Sequence, residues 1–287
     1  MTPKVSFEFF PPKTLDASFR LWDTLGLLAP LNPEFVSVTY GAGGTTRALT
    51  HDAVTAIDSH FGLSVAAHLT CVEASRAETL AIAESYAAAG LRDIVALRGD
   101  PVAGTGGFQA HPDGFRSSVE LIEALAQTGK FNIRVGAYPD PHPDAASHAQ
   151  NIDWLKRKID AGSSSAITQF FFEADTFLRF RDACDAAGIS APIIPGILPI
   201  ESWPGVKRFA ERAGVPVPDK LDRDFAVAAR DDRAGLFATV QATTLCTTLI
   251  GEGVDHLHFY TLNAPTLVRD VCTALGVAPK PALAEVA

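Results

Sequence analysis

A carboxylate stands in the most apolar stretch near the start of the chain. Glu8 lies between Phe7 and Phe9 in the segment VSFEFFPPK. Ionised glutamate is rarely buried without a partner, because its removal from water costs several kcal/mol. Two explanations fit this position: an edge strand on which Glu8 faces solvent, or an acid placed to donate a proton in a catalytic site.

A second acid, Asp100, follows Arg98 and precedes the glycine-rich segment 104–107. Glu8 and Asp100 could form a carboxylate pair like that of a glycosidase. Glycine lets backbone amides approach an anion closely, however, so this region is more typical of a phosphate or cofactor contact. Lys158 could add a cation there, or could lie on a solvated helix face. The sequence contains no Gly-x-Ser-x-Gly motif and no grouping with metal-ligand spacing, so we expect no metal site.

The elements that would position these residues are β-type runs that alternate with helical patterns. The helical pattern after the third run opens with Ser75 and carries Glu78 three residues later, which is typical of a capping box, and Gly90 suits its C-cap. The pattern predicts eight strands, at residues 5–10, 35–40, 64–71, 93–99, 132–139, 164–172, 192–198 and 256–263.

Most successive strands are roughly 30 residues apart, the length that one strand-helix pair with short loops requires. Eight such pairs predict an α/β fold of the closed (β/α)₈ TIM-barrel type, as one catalytic domain over residues 1–287. The interval between strands 7 and 8 is longer, and we assign it to extra helices that include 224–251. A doubly wound open sheet is the alternative, but no Gly-x-Gly-x-x-Gly turn follows the first strand.

Polar residues lie near seven of the eight predicted strand ends. In a (β/α)₈ barrel the active site lies where the C-terminal ends of the strands meet their loops, so we expect these residues to converge at one mouth. They are Glu8, Thr39, Tyr40, His68, Thr70, Arg98, Asp100, Tyr138, His142, Gln169, Tyr260 and Asn263.

The composition restricts the cellular setting. The 287 residues are 47% hydrophobic, which is enough for a large core. The net charge of −9 argues against binding to nucleic acids or membrane surfaces, because clustered Lys and Arg favour such binding. No run approaches the roughly 18 apolar residues of a membrane span, and no signal-peptide pattern opens the chain, so we expect a cytoplasmic protein. The four widely spaced cysteines predict reduced, buried thiols: Cys71, Cys184, Cys246 and Cys272.

Several segments together resemble the methylenetetrahydrofolate reductase family. They are SFEFFPPK, FVSVTYGAGG, HLTC, IVALRGD, AYPDPHP, LKRKIDAG, AITQFFF, IIPGILPI and HFYTLN, in the family's order. The resemblance implies a (β/α)₈ barrel with noncovalent FAD, which NADH or NADPH reduces before the folate takes the place of the nicotinamide. The resemblance implies the short bacterial form, since the length of 287 residues matches it, and we expect no regulatory domain like that of the longer eukaryotic relatives.

The resemblance implies that Glu8 is the general acid. It would protonate N10 of methylenetetrahydrofolate, so that the ring opens to an iminium ion that accepts hydride from the flavin. We expect Phe7, Phe9 and Phe10 to hinder the solvation of Glu8 and to raise its pKa, which would keep the carboxyl protonated near neutral pH.

The substrate residues follow from the same resemblance. Asp100 corresponds to an aspartate near the flavin and the pterin, where it can accept hydrogen bonds from the amino edge of the folate ring. Gln169 corresponds to a pterin contact. Phe209 corresponds to an aromatic residue that stacks on substrate or nicotinamide.

For FAD, the resemblance points to Thr39, His68, Arg98, Gly99, Asp100, Tyr138, His142, Asn151 and Lys158. Arg98, His142 and Lys158 would be neighbours of the diphosphate or ribose, whose oxygens accept hydrogen bonds. Asn151 stands where the best-known members carry an acid, so we expect an effect on FAD affinity rather than on the chemistry. The loop 101–112 differs in length from those relatives, so its contacts do not transfer.

The predicted function is therefore the reduction of methylenetetrahydrofolate to methyltetrahydrofolate through FAD, by an enzyme that could form a homo-oligomer. Two alternatives remain. One is a barrel hydrolase that uses Glu8 and Asp100 as a carboxylate pair, and the other is a non-catalytic protein that binds flavin or folate. A yellow protein that bleaches on addition of reduced nicotinamide would distinguish the reductase from the hydrolase.

Overall fold

A computed structural model describes residues 2–40, 46–100, 108–142 and 145–279. In these ranges, parallel strands form one sheet in the order β7-β6-β5-β4-β3-β2-β1-β9-β8. The strands are β1 Lys4–Phe9, β2 Val36–Val38, β3 Val65–Thr70, β4 Asp93–Leu97, β5 Asn132–Ala137, β6 Ser165–Thr168, β7 Ile193–Ile194, β8 Gly196–Ile197 and β9 His256–Tyr260.

Helices surround this sheet, as the alternating sequence pattern predicts. They are α1 Leu15–Leu28, α2 Arg47–Phe61, α3 Arg76–Ala88, α4 Ser118–Gln127, α5 His148–Asp160, α6 Ala174–Ala186, α7 Trp203–Ala213, α8 Asp219–Arg230, α9 Ala234–Gly251 and α10 Pro265–Ala274. The capping box of α3 is present, since Ser75 accepts from the Glu78 backbone and Glu78 accepts from the Ser75 backbone. The (β/α)₈ TIM-type fold is confirmed.

The seventh predicted strand, 192–198, is split in two at Pro195. Proline has no N–H to donate to a ladder, so regular pairing stops there. β7 pairs with β6 on one side, and β8 pairs with β9 on the other. His258 N donates to Pro195 O at 3.0 Å across the break. The barrel therefore closes through two short strands where the sequence pattern predicted one longer strand.

The other strands end earlier than the apolar runs suggest. Phe170, Phe171 and Phe172 lie beyond β6, yet all three are buried in the core. Their burial comes from side-chain packing after the chain has left the sheet. An apolar run thus marks burial more reliably than it marks the end of a strand.

The extra helices lie between β8 and β9, where the long interval predicted them. The predicted helix 224–251 is in fact the end of α8 followed by α9, because the chain turns at Asp232 with a φ of 54°. α9 is 18 residues long and apolar enough to cross a membrane by length and composition alone. One such helix is weak support for a membrane, because the core helix of a soluble protein passes the same test.

Alternation along the strands separates two apolar regions. Phe7 and Phe9 pack in the core between the sheet and the helices, with Leu21 and Leu25 of α1. A smaller cluster lies inside the barrel: Phe35, Ala66, Val95, Ile167 and Ile194. Successive strand residues face opposite sides of a sheet, so Ser6 and Glu8 point into the barrel while their phenylalanine neighbours point outward.

Candidate active site

Glu8 lies inside the barrel among polar side chains from three other strands. Its Oε2 is 3.2 Å from Nε2 of His68 and 3.8 Å from Nε2 of His258. Ser37 Oγ donates to the same oxygen at 3.4 Å. The Glu8 side chain is 16% exposed, against 8% for His68 and 0% for His258. The carboxylate is thus largely buried, and its polar neighbours are two imidazoles and a serine hydroxyl.

The expected rise in the pKa of Glu8 is wrong. Burial raises the pKa, but the attraction of His68 and His258 outweighs burial and lowers the pKa to about 2. The expectation relied on Phe7 and Phe9, whose rings face the helices on the other side of the strand. The residues that set the charge state of Glu8 come from β3 and β9, far away in sequence. Glu8 is therefore ionised at neutral pH in this structure.

A cavity of about 330 Å³ opens beside β3, β4 and β5 and reaches α4 and α5. Seven of the nine residues predicted to contact FAD line it: Arg98, Gly99, Asp100, Tyr138, His142, Asn151 and Lys158. The lining also includes Thr70, two residues after His68 on β3, and Tyr40, which follows Thr39. The cavity therefore begins next to the Glu8 cluster.

Cations occupy the inner wall of this cavity. Lys158 Nζ donates to Gly136 O at 2.8 Å and lies 5.9 Å from the centre of the Tyr138 ring. Burial, and then repulsion by Arg98, lowers the pKa of Lys158 to about 8. The Arg98 guanidinium lies over Phe108, 5.0 Å from the ring centre. Two half-buried cations on one wall favour the binding of an anion beside them.

Backbone geometry after β4 requires glycine at position 99. Gly99 has a φ of +90°, and a Cβ there would lie 2.7 Å from Val72 Cγ1. This turn brings Asp100 to the edge of the cavity, where its side chain is exposed. The segment 104–107, the glycine-rich loop of the sequence analysis, lies outside the described residues.

Asn151 is buried at the start of α5, and its amide is used structurally. Nδ2 donates to Tyr138 O at 2.6 Å, so the amide oxygen is the atom left for the cavity. A carboxylate in this position could not donate to that carbonyl. The Tyr138 ring, in turn, contacts His142 edge-on with centroids 4.6 Å apart. The asparagine therefore fixes the backbone that carries Tyr138.

The remaining predicted site residues lie outside the lining of the cavity. Thr39 and Gln169 are half-buried and directly follow β2 and β6, and His68 contacts Glu8. Gln169 Oε1 accepts from the backbone N–H of Phe170 at 3.1 Å. Phe209 is 38% exposed on α7, where its ring stacks on Phe170 with centroids 5.3 Å apart. Phe209 thus presents one aromatic face to solvent.

Sequence reasoning missed His258 and Ser37 as partners of Glu8. Strict alternation would have found His258, because it lies two residues before Tyr260 on β9 and shares its face. It also missed part of the cavity lining: Phe108, Arg116, Ser117, Ser118 and Trp154. Ser117 carried a signal, since it caps α4 by accepting from the backbone of Glu120.

Comparison with known proteins identifies the family. The family model described as methylenetetrahydrofolate reductase matches residues 1–276. The chain belongs to the methylenetetrahydrofolate reductase family. A 5,10-methylenetetrahydrofolate reductase of Pectobacterium carotovorum subsp. carotovorum is 43% identical over 277 residues, 96% of this chain and 91% of that protein. The enzyme of that name from Escherichia coli strain K12 is 42% identical over 276 residues, with the same coverage.

A solved structure supports the barrel fold independently. It is an uncharacterized protein from Clostridium thermocellum that binds two copies of 5-methyl-5,6,7,8-tetrahydrofolic acid. The TM-score is 0.61 over 96% of this chain and 95% of that one, at 10% sequence identity, so the likeness concerns the fold alone. The family and its enzymatic nature, both predicted from the sequence, are confirmed, and family membership supports the reduction of methylenetetrahydrofolate.

Proposed function

We propose that the protein reduces 5,10-methylenetetrahydrofolate to 5-methyltetrahydrofolate with NADH or NADPH, through noncovalent FAD and with Glu8 as general acid. The observation that carries the proposal is the arrangement at the barrel mouth. A carboxylate in contact with two imidazoles lies next to a cavity whose inner wall bears two cations.

The cavity fits a dinucleotide cofactor by its charge. Lys158 and Arg98 supply cations for a diphosphate, and a bound anion would offset the burial and the repulsion that lower the pKa of Lys158. Ser117 and Ser118 place the start of α4 in the same wall, where first-turn N–H groups carry partial positive charge. A bound flavin would supply hydride transfer between the nicotinamide and the folate. The ribose hydroxyls could donate to the Asn151 amide oxygen, and the His142 ring could donate to them or accept from them.

Glu8 has to hold a proton when N10 of the folate is protonated. Because Glu8 is ionised at rest, a neighbouring group must load it in each turnover. His68 Nε2, at 3.2 Å, is one such neighbour, and His258 Nε2 at 3.8 Å is another. A protonated Glu8 would lie among donors already in place, so little reorganisation is needed when it gives up the proton.

The substrate would lie between the remaining site residues. Asp100 is exposed at the cavity edge, where its carboxylate can accept from the amino group of a pterin. Gln169 at the end of β6 offers an amide donor and acceptor to the same ring. The exposed face of Phe209 offers a stacking surface for the aromatic part of the substrate or for the nicotinamide.

The test separates the two half-reactions by stopped-flow absorbance. In Glu8→Gln we expect reduction of the bound flavin by NADH at a wild-type rate, because that step needs no protein acid. Oxidation of the reduced flavin by methylenetetrahydrofolate should fall by about two to four orders of magnitude. The matched control is Glu84→Gln, which removes a surface carboxylate that pairs with Lys130. Equal losses in both half-reactions would contradict the assignment of Glu8.

The rival proposals predict different observations. A hydrolase that uses Glu8 and Asp100, or a protein that only binds flavin or folate, would show no methylenetetrahydrofolate-dependent oxidation of reduced flavin. We also propose that residues 1–287 form one catalytic domain, that the protein is cytoplasmic and that it can form a homo-oligomer. The net charge of −9 and four free, buried cysteines support the cytoplasmic setting.

A further inference from the structure

The chain turns where β9 ends, and this turn, 261–263, is hydrogen-bonded to the strand that carries Glu8. Thr261 Oγ1 and Thr261 N both donate to the backbone oxygen of Glu8, at 2.6 Å and 3.2 Å. Asn263 binds the chain two residues further on. Its Oδ1 accepts from Phe10 N at 2.9 Å, and its Nδ2 donates to Phe10 O at 3.0 Å. The turn therefore holds the backbone of β1 at Glu8 and just beyond the end of the strand.

The side-chain amide of Asn263 takes the place of a backbone peptide group. β1 and β9 pair in parallel register as far as Glu8 and Tyr260, where β9 ends. A carboxamide carries an acceptor and a donor, as a peptide group does, so it can bind both the N–H and the C=O of Phe10. Aspartate offers no donor at neutral pH, and alanine offers neither group. The hydrogen bonding of β1 is thus continued by a side chain after the main chain of β9 has turned away.

The turn keeps this position against backbone strain. Leu262 has a φ of 49° and Asn263 a φ of 55°, in the left-handed region that residues with a Cβ rarely adopt. Further hydrogen bonds fix the turn: Thr24 Oγ1 on α1 donates to Asn263 O at 3.1 Å, and Thr261 Oγ1 accepts from Asn263 N at 3.1 Å. Strained residues persist only where their surroundings hold them, and they concentrate at functional sites.

We propose that Asn263 is a positioning residue, which holds the backbone of β1 at the barrel mouth and thereby fixes Glu8 for proton transfer to the folate. This inference rests on the proposed role of Glu8 as general acid. On the other side of β1, Thr39 N donates to Phe9 O at 2.9 Å, so β2 holds that edge by main-chain bonds. On the β9 side the hold beyond Glu8 comes from the turn. A general acid must lie within hydrogen-bond reach of the atom that it protonates, and a misplacement of about 1 Å can slow a reaction about 100-fold.

The experiment uses the FAD-loaded protein and follows each half-reaction at saturating substrate by stopped-flow absorbance. Asn263→Gly accepts the left-handed backbone but removes the amide, so it tests the hydrogen bonds to Phe10 without added strain. Oxidation of reduced flavin by methylenetetrahydrofolate should be slower by about 10- to 100-fold, while flavin reduction by NADH keeps its wild-type maximal rate. The matched control is Asn32→Gly, because Asn32 has a φ of 53° and precedes β2, at the end of the barrel away from the mouth. The control should leave both rates unchanged.

A double variant shows whether Asn263 acts through Glu8. In Glu8→Gln the acid is absent, so the addition of Asn263→Gly should slow the folate step no further. Thr261→Val removes the side-chain hydrogen bond to Glu8 O and should slow the same half-reaction. Thr261→Ser keeps the hydroxyl and should restore the wild-type rate.

A wild-type folate step in Asn263→Gly would overturn the positioning role. Equal slowing of both half-reactions would also overturn it, since that result indicates general damage to the site. A further loss of the same size in the Glu8→Gln background would show that Asn263 acts independently of the acid, against the proposal. If Asn263→Gly fails to fold, a wild-type folate step in Thr261→Val refutes the proposal instead. An unchanged folate step in Glu8→Gln alone would refute the proposed function, whatever the result at Asn263.

Discussion

Lys158→Met should make the flavin-free protein more stable and should weaken its binding of FAD. Lys158 is a half-buried cation whose Nζ donates to Gly136 O, and Arg98 lies close enough to repel it. Methionine keeps most of the apolar stem while removing the charge. Without a bound anion, the charge of Lys158 is a cost to the folded state. With a diphosphate in the cavity, the same charge attracts the anion and strengthens its binding.

The size of the effect follows from the pKa, which falls from 10.5 to about 8. Each pKa unit corresponds to about 1.36 kcal/mol, so the charged form destabilises the fold by on the order of 3 kcal/mol. Lys158→Met also loses the hydrogen bond to Gly136 O, which destabilises the variant by about 1 kcal/mol. The net gain in the free energy of unfolding is therefore about 2 kcal/mol at pH 7. Between pH 8 and 10.5 the unfolded chain binds a proton that the folded wild type lacks. Wild-type stability should therefore rise through this range, and its deficit relative to the variant should shrink.

Urea denaturation of the flavin-free protein from pH 7 to 10 measures the stability, and flavin fluorescence titration measures the affinity. Bound diphosphate should raise the pKa of Lys158, so wild-type FAD affinity should fall by up to about tenfold per pH unit above pH 8. Lys156→Met is the matched control, since Lys156 is on the same helix, is 41% exposed and pairs with Asp160. A destabilised Lys158→Met protein whose FAD affinity equals that of wild type would refute the reasoning.

Three further predictions concern the carboxylates and the amide of the site. Glu8→Gln should be less stable than wild type at pH 7, because the lowered pKa of Glu8 stabilises the folded state above about pH 4.5, and this stabilisation is lost toward pH 2. In urea denaturation, the difference in unfolding free energy between wild type and variant should therefore be smaller at pH 3.5 than at pH 7. An equal difference at the two pH values would contradict the ion-pair explanation. Asp100→Asn should make the flavin easier to reduce, as measured by redox titration, because a negative charge near the flavin is removed. It should also weaken folate binding by about 1 kcal/mol, as measured by single-turnover kinetics. A flavin potential that is unchanged or more negative would contradict the electrostatic effect of Asp100 on the flavin. Asn151→Asp should weaken FAD binding by about 1 to 3 kcal/mol, because it replaces the donor to Tyr138 O with an acceptor; fluorescence titration that shows equal or tighter binding would contradict this.

Much of the fold was predictable, because it depends on local periodicity. Alternating apolar runs and helical patterns recur at about the spacing of a strand-helix unit, and their number indicated the closed barrel. The split at Pro195 was less predictable. A proline in an apolar run cannot donate one hydrogen bond of the sheet. Whether the strand continues after it depends on which adjacent strands form hydrogen bonds with the following residues, and the sequence pattern does not show this.

The site was predictable only in part, for a different physical reason. The sequence pointed to Glu8 and Lys158 because a charge in an apolar or patterned segment is conspicuous. It did not reveal their electrostatic surroundings, which come from residues distant along the chain. Ser37 and His258 lie 29 and 250 positions from Glu8, and they act on it only because the parallel register brings β2 and β9 beside β1. Sequence neighbours such as Phe7 have the opposite orientation.

The barrel has a seam at Pro195, between β7, which pairs with β6, and β8, which pairs with β9. Elsewhere the strands are joined by ladders, but around the seam β7 and β8 contribute two residues each, and Gly196 N donates to the Thr168 side chain. The segments on either side of this seam are far apart along the chain, since β6 precedes β9 by almost a hundred residues. The seam should therefore be the last contact to form during folding and the first to open in the native state. Amide protons of β7 and β8 should exchange with solvent ahead of those in β3 and β4, which makes the closure of the ring a separate, weaker step than the formation of the sheet.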